Sequence, residues 1–249
     1  MFNEERDTQI LNILQENNYY ATVEYIAQCI HISPSSVRRD LNKLEQKGIV
    51  KRSYGGVSLL RGDRSIVPFA MRTHRNIDLK KSIARKAVSL IKEGDVIFID
   101  GSSTAYFLSE YLSGFEKLKV ITNGIDALTS LTKYRVDVYS TGGMLSPPNR
   151  AVLVGNFAQE MINSVHADIV FFSSQTIDAD GVIYDCYEEE NRIRQLMMKN
   201  SSRKVFLCDS TKLSQQSTFK LCNVNDVDDI ICDKPLDDYF NVPVKAKLH

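Results

Sequence analysis

From residue 96 to residue 232, short apolar runs alternate with stretches of helical periodicity, and no other feature limits the possible folds as strongly. The runs lie at 96–99, 120–121, 136–139, 169–172, 205–208 and 230–232. Helices are expected between them, near 105–112, 126–132, 157–163 and 188–199. Strand, helix and strand recurring every 20 to 30 residues or so imply an α/β domain whose mostly parallel sheet is covered by helices. Such sheets hold ligands beyond the carboxyl ends of their strands. The polar residues just after each apolar run are therefore the candidates for a site.

After the first run come Asp100, Gly101, Ser102, Ser103 and Thr104, leading straight into a helix. Three hydroxyls, the free N–H groups of a helix start and the helix dipole together suit an anion, with phosphate the natural occupant. The Gly-Lys-Ser/Thr of a nucleotide P-loop is missing, which argues against ATP or GTP hydrolysis. The next runs end in Thr122, Asn123 and Gly124 and in Thr141, Gly142 and Gly143, which brings more donors and bare backbone to the same end of the sheet. Arg150 and Gly155 follow on a loop containing Pro147 and Pro148, and Lys212 closes the Asp-Ser-Thr-Lys run at 209–212. Each cation is either an ordinary surface residue or a ligand partner.

The first sixty residues have a different character. Ile10, Leu11 and Leu14 recur at helical spacing, and a second short helix fits 22–29 with Thr22 as its N-cap. After a tight turn at His31 and Ile32, Ser33 is suited to cap a third helix with Pro34 in its first turn, and Gly48 to end it. Two short helices around a tight turn suggest helix-turn-helix geometry. On the wheel of 34–47, Val37, Leu41 and Leu44 share one narrow face, while Ser35, Arg39, Asn42, Lys43 and Gln46 lie opposite. These side chains suit base edges and phosphates, and the acids Asp40 and Glu45 flank the apolar stripe. Residues 49–59 read as two strands around a turn, a wing whose Lys51 and Arg52 either grip phosphates or keep a strand edge charged.

Charge supports a division of labour. The chain has 31 Lys and Arg against 31 Asp and Glu, yet residues 33–92 hold 15 basic residues and four acids. A local charge of +11 is thus offset elsewhere, as an attraction to nucleic acid at one end requires. No apolar run approaches the ~20 residues needed to span a bilayer, and the N-terminus does not read as a secretory signal, so a cytoplasmic location is expected. Cys29, Cys186, Cys208, Cys222 and Cys232 read as small buried hydrophobes. Neither they nor the four histidines supply the close ligand pair of a metal site, and no cofactor is implied. The basic helix expected from Leu79, with Lys80, Lys81, Arg85, Lys86 and Lys92 opposite its apolar face, reads as a solvated amphipathic helix.

Ser33 to Leu41, then Leu44, Glu45 and Gly48, then Arg52, Tyr54, Gly55 and Gly56 resemble the winged helix-turn-helix of the DeoR family of bacterial transcription regulators. Family members commonly have Thr where this chain has Ser36. The resemblance extends through Asp100–Thr104, Thr122, Asn123, Gly142, Gly143, Gly155 and Asp209–Lys212 to the family's carboxyl-terminal sensor, a domain similar to ribose-5-phosphate isomerase. It implies an operator-binding regulator, most simply a repressor of carbohydrate genes, controlled by a phosphorylated sugar and not an enzyme. Ser35, Ser36, Arg38, Arg39, Asn42, Lys43, Lys51, Arg52 and Tyr54 would meet DNA, and Asp100 would touch sugar hydroxyls.

Two departures stand out from the family pattern. Ser173, Ser174 and Gln175 replace a glycine-rich stretch, and Glu190 to Arg194 replaces a Glu-Ala-x-x-Lys run. Arg prefers carboxylate or phosphate and cannot do the proton transfer of Lys, so Glu190 and Arg194 join the ligand candidates, while Glu188 and Glu189 complement a helix start. The competing reading is an isomerase-like enzyme with an accessory winged helix. The expected organisation is a DNA-binding domain at 1–58, a linker at 59–76, a sensor at 77–236 and a tail at 237–249. One recognition helix covers few base pairs, so a homodimer or higher homo-oligomer on double-stranded DNA is expected.

Overall fold

The computed structural model describes residues 3–17, 20–53, 56–59, 69–134, 136–214 and 217–249. They divide into two compact units, Met1–Arg75 and Asn76–His249.

In the first unit, α1 (Asn3–Glu16), β1 (Tyr20–Thr22), α2 (Val23–Cys29) and α3 (Pro34–Gln46) precede β2 (Val50–Ser53), β3 (Gly56–Leu59) and α4 (Phe69–His74). The caps are those the residue types favour. Thr22 Oγ1 accepts from Tyr25 N, and Ser33 Oγ accepts from Ser36 N at 3.2 Å, with Pro34 in the first turn. His31 takes φ +54° in the turn between α2 and α3. Ile10, Leu14, Ile26, Val37, Leu41, Leu44 and Ile49 are almost wholly buried in one core. The wing is more than the expected hairpin, because β1 pairs antiparallel with β3 to give a three-stranded sheet ordered β1-β3-β2. Three residues are too short for β1 to show as an alternating pattern. Part of the expected linker is α4, whose Phe69 is buried with the Arg72 guanidinium 5.4 Å from its ring centre.

The second unit opens with α5 (Ile77–Val88) and β4 (Val96–Ile99), followed by a 3₁₀ helix at Ala105–Gly114. Next come β5 (Lys119–Thr122), α6 (Ile125–Leu131), β6 (Asp137–Ser140), β7 (Met144–Leu145), β8 (Leu153–Val154), α7 (Asn156–Asn163) and β9 (Ala167–Phe172). The chain continues through β10 (Thr176–Ile177), β11 (Val182–Asp185), α8 (Glu188–Lys199), β12 (Ser201–Cys208), β13 (Phe219–Asn223), β14 (Asp229–Cys232) and β15 (Lys247–Leu248). Seven strands form one parallel sheet ordered β15-β14-β12-β9-β4-β5-β6. Its order reverses between β4 and β9, the crevice where an open parallel sheet binds ligands.

Alternation within the strands fills both faces. Phe98, Val170, Phe172 and Phe206 pack with Ile162, Ile193 and Met197 of α7 and α8 on one side. Ile97, Ile99, Phe171 and Leu207 pack with Ile83, Ala84, Leu108 and Leu131 on the other. Burying each large side chain contributes about 1.5–3 kcal/mol, which explains why these strands read as unbroken apolar runs.

Three expectations are corrected. The basic face expected from α5 is exposed at Arg85, Lys86 and Lys92, but Lys80 is buried, Lys81 pairs with Glu110 at 2.9 Å, and Lys86 Nζ donates to Cys232 O at 2.8 Å. Long aliphatic stems let lysines pack along apolar surface, so charge alone misplaced Lys80. Residues 237–249 are no loose tail, since β15 adds a parallel edge strand beside β14 and His249 Nε2 lies 2.7 Å from Asp229 Oδ1. Of the cysteines only Cys208 and Cys232 are fully buried, whereas Cys29 is exposed and Cys186 and Cys222 are half-buried. Short extra strands also went unread: the β7–β8 hairpin and the antiparallel sheet β10-β11-β13.

Candidate functional site

Hydrogen bonds sort the candidate DNA residues of the first unit. Ser36 N and both Ser35 and Ser36 hydroxyls lie within 3.2 Å of Ser33 Oγ, so these hydroxyls belong to the cap network of α3. Arg38 pairs with Glu24 at 3.1 Å on the surface, and Lys43 lies 3.6 Å from Asp40. Asp40 flanks the apolar stripe of α3, as expected, and turns inward. It is 1% exposed and held by Arg6 at 3.1 Å, tying α3 to α1. Glu45 likewise has a partner, accepting the Arg52 backbone N–H at 2.8 Å, while the Arg52 guanidinium donates to Asn42 Oδ1. Arg39 is exposed and joins no ion pair among the described residues, and Lys51 is exposed on β2. Tyr54 and Gly55 lie outside the described residues.

The candidates of the second unit gather at the carboxyl ends of β4, β5, β9 and β12. Ser102 builds the turn after β4: its N–H and Oγ both donate to Asp100 Oδ1, at 3.2 and 2.5 Å, while Oγ accepts from Ala105 N. The N–H groups of Ser103 and Thr104 come just before the 3₁₀ helix, where the first turn supplies no intrahelical acceptor. Asp100, Ser102, Ser103 and Thr104 are all at least 95% buried. Gly101 is needed for packing, because a Cβ there would sit 2.1 Å from Val152 Cγ1. Gly143, at φ +103°, is equally constrained by the Val154 carbonyl. Both glycines are therefore required by the packing of the chain on itself.

Lys212 reaches this loop from the end of β12. Its ammonium donates to Ser173 Oγ at 2.7 Å and to Thr104 Oγ1 at 3.2 Å, while Ser173 Oγ donates to Leu207 O. Two of three donors therefore meet neutral hydroxyls, and no carboxylate pairs with Lys212 among the described residues. Asn123 adds a buried amide whose Nδ2 donates to Leu153 O at 3.1 Å and whose Oδ1 has no hydrogen-bond partner among the described residues. Thr122 Oγ1 accepts from Gly124 N, closing its own turn. Arg150 is exposed and makes no side-chain hydrogen bond or ion pair among the described residues.

Arg194 is the group whose surroundings differ most from expectation. It is buried, donates to Asp100 at 2.7 Å, Glu190 at 3.3 Å and Asn191 at 3.4 Å, and forms an ion pair with Asp185 at 3.1 Å. Burial disfavours its charge, but Asp185, Asp100 and Glu190 outweigh that and push its pKa up, so it stays protonated. Glu190 is fixed from its other side by Asn149 Nδ2 at 3.0 Å. Arg194 and Glu190 thus bind each other and the chain, and the guanidinium fork is spent internally. Asp185 and Asn149 were missed because their partners, Arg194 and Glu190, are 9 and 41 positions away. No group of three His, Cys, Asp or Glu side chains that could hold a metal occurs among the described residues. Nor, among those residues, is any helix long and apolar enough to cross a membrane.

Residues 6–61 match the model of the DeoR-like helix-turn-helix domain, and residues 75–234 match that of the DeoR C terminal sensor domain. The chain belongs to the DeoR family. Among DeoR-type relatives, HTH-type transcriptional regulator GolR of Listeria innocua is 32% identical over 95% of this chain and 92% of its own. The L-fucose operon activator of Haemophilus influenzae is 32% identical over 94% and 93%, and HTH-type transcriptional repressor GlcR of Bacillus subtilis 30% identical over 94% and 90%. Among solved structures, ribose 5-phosphate isomerase A from Methanocaldococcus jannaschii is 19% identical over 55% of each chain, with a TM-score of 0.42. This DeoR-family chain is a DNA-binding transcription regulator whose larger unit is a ligand sensor, and its relatives are named as regulators, not as enzymes.

Proposed function

We propose that this regulator represses carbohydrate-utilisation genes in the cytoplasm as a homodimer or higher homo-oligomer, and that a phosphorylated sugar bound at the β4–β9 switch point controls its hold on DNA. One observation carries the effector class: the Lys212 ammonium, held by the Ser173 and Thr104 hydroxyls and not by a carboxylate, beside a loop of buried hydroxyls at a helix start. A cation with a donor to spare beside free backbone N–H groups suits a phosphate. The buried Asn123 Oδ1 offers an acceptor for a sugar hydroxyl. Ser102, Ser103, Thr104, Asn123 and Lys212 are the residues assigned to the effector. Arg39, Asn42 and Lys51 are assigned to the operator.

Relatives named for an L-fucose operon and a glycerol-3-phosphate regulon support carbohydrate control, and the relative named the transcriptional repressor GlcR supports repression. The deciding experiment is thermal unfolding with a panel of sugar phosphates, each beside its unphosphorylated parent. An effector at 100 times its Kd stabilises by about 2.7 kcal/mol. Equal shifts with the parent sugars, or shifts that persist in Lys212→Ala, count against the phosphate reading.

A further inference from the structure

One residue of the wing makes two hydrogen bonds to the reading helix. The Arg52 guanidinium donates to Asn42 Oδ1, and the Arg52 backbone N–H donates to Glu45 Oε1 at 2.8 Å. Positions 42 and 45 lie three apart on α3 and so share one helix face. A guanidinium carries donors and no acceptor, so Asn42 has to present its oxygen to Arg52, which settles the orientation of its amide. The Nδ2 amino group then has both its donors available for a base.

That division changes what Asn42 is able to read. An asparagine recognises adenine by accepting from N6 and donating to N7 together. Arg52 takes one of the two acceptor positions of Oδ1 and sets a positive guanidinium beside it, which disfavours the N6 donor of adenine and favours an edge made of acceptors. Guanine offers two such atoms side by side, N7 and O6, while thymine offers one beside a methyl group. Arg39, three residues earlier and exposed, is also a donor without acceptors. We infer that Arg52 sets the base specificity of Asn42, directing it to guanine and away from adenine. The inference rests on α3 entering the major groove.

The test is enrichment of sites from a randomised duplex library by the full-length protein and its Asn42→Ala, Arg52→Ala and Arg52→Lys variants, whose substitutions lie outside the core. The position read by Asn42 is the one whose preference disappears in Asn42→Ala. There the wild type is expected to favour guanine over adenine by about tenfold or more. Arg52→Ala frees the oxygen, and the preference moves to adenine. Arg52→Lys keeps a donor in reach of Asn42 and retains guanine. Adenine selected by the wild type overturns the inference, as does an Arg52→Ala variant that binds every site more weakly with unchanged base preference. Failure of groove reading looks different, because no motif is then enriched even by the wild type, and that result overturns both.

Discussion

Arg194 Nε donates to Asp100 Oδ2 at 2.7 Å, with 5% and 1% of the two side chains exposed. This bond joins α8 to the turn that leads into the hydroxyl loop, and the same guanidinium also holds Asp185 and Glu190. Removing the cation leaves buried carboxylates without compensation, the costly way to break a buried ion pair. Arg194→Ala is expected to destabilise the sensor by about 3–5 kcal/mol in denaturant unfolding. A loss below about 1 kcal/mol, the range of surface pairs, would contradict the buried network.

Lys212→Ala addresses the effector instead of the fold. Its ammonium is half-buried and bonded to two hydroxyls, so stability is expected to change little while affinity for sugar phosphates drops. A hydrogen bond to a charged group contributes about 1.5–3 kcal/mol, equivalent to roughly 10- to 150-fold in Kd by titration calorimetry. Unaltered affinity would remove Lys212 from the site.

Gly101→Ala places a Cβ against Val152 Cγ1. Overpacking of this kind costs about 1–3 kcal/mol, and Val152→Ala in the same chain should recover part of it. A double-mutant cycle by chemical denaturation measures the coupling, and strictly additive effects would show that the two residues do not meet.

Asp229 makes stability depend on acidity. Burial alone raises its pKa, but hydrogen bonds from Arg203 and His249, with the charges of both, prevail and hold the carboxyl below its ordinary value. A lowered folded pKa contributes stability that is fully present above the unfolded value of about 3.9 and is lost as pH falls through the folded one. Unfolding free energies measured from about pH 5 downward should fall more steeply for the wild type than for Asp229→Asn. Parallel acid limbs would exclude this contribution.

On the DNA side, Arg39→Ala is expected to cost about 1–3 kcal/mol and to relax preference at one base pair. Lys51→Ala should weaken all sequences alike and lower the slope of log K against log salt by about 0.9. Equal loss on every site for Arg39→Ala would reassign it to the phosphate backbone.

Six of the seven strands of the large sheet and the helices between them were legible in the residues, because burial on both faces leaves unbroken apolar runs such as 96–99, 169–172 and 205–208 that no exposed element needs. The caps at Thr22 and Ser33 and the reading face of α3 were legible for the same local reason: a cap or a helical stripe is decided within one or two turns of chain. What each charged side chain does was decided only by tertiary structure. Asp40 meets Arg6, Asn42 meets Arg52, and Arg194 meets Asp100 across 34, 10 and 94 positions. The family resemblance put Arg194 toward a ligand, whereas folding turned it inward onto three carboxylates. An ion pair depends on distance in space, and apolar periodicity carries no information about which distant polar groups arrive beside one another.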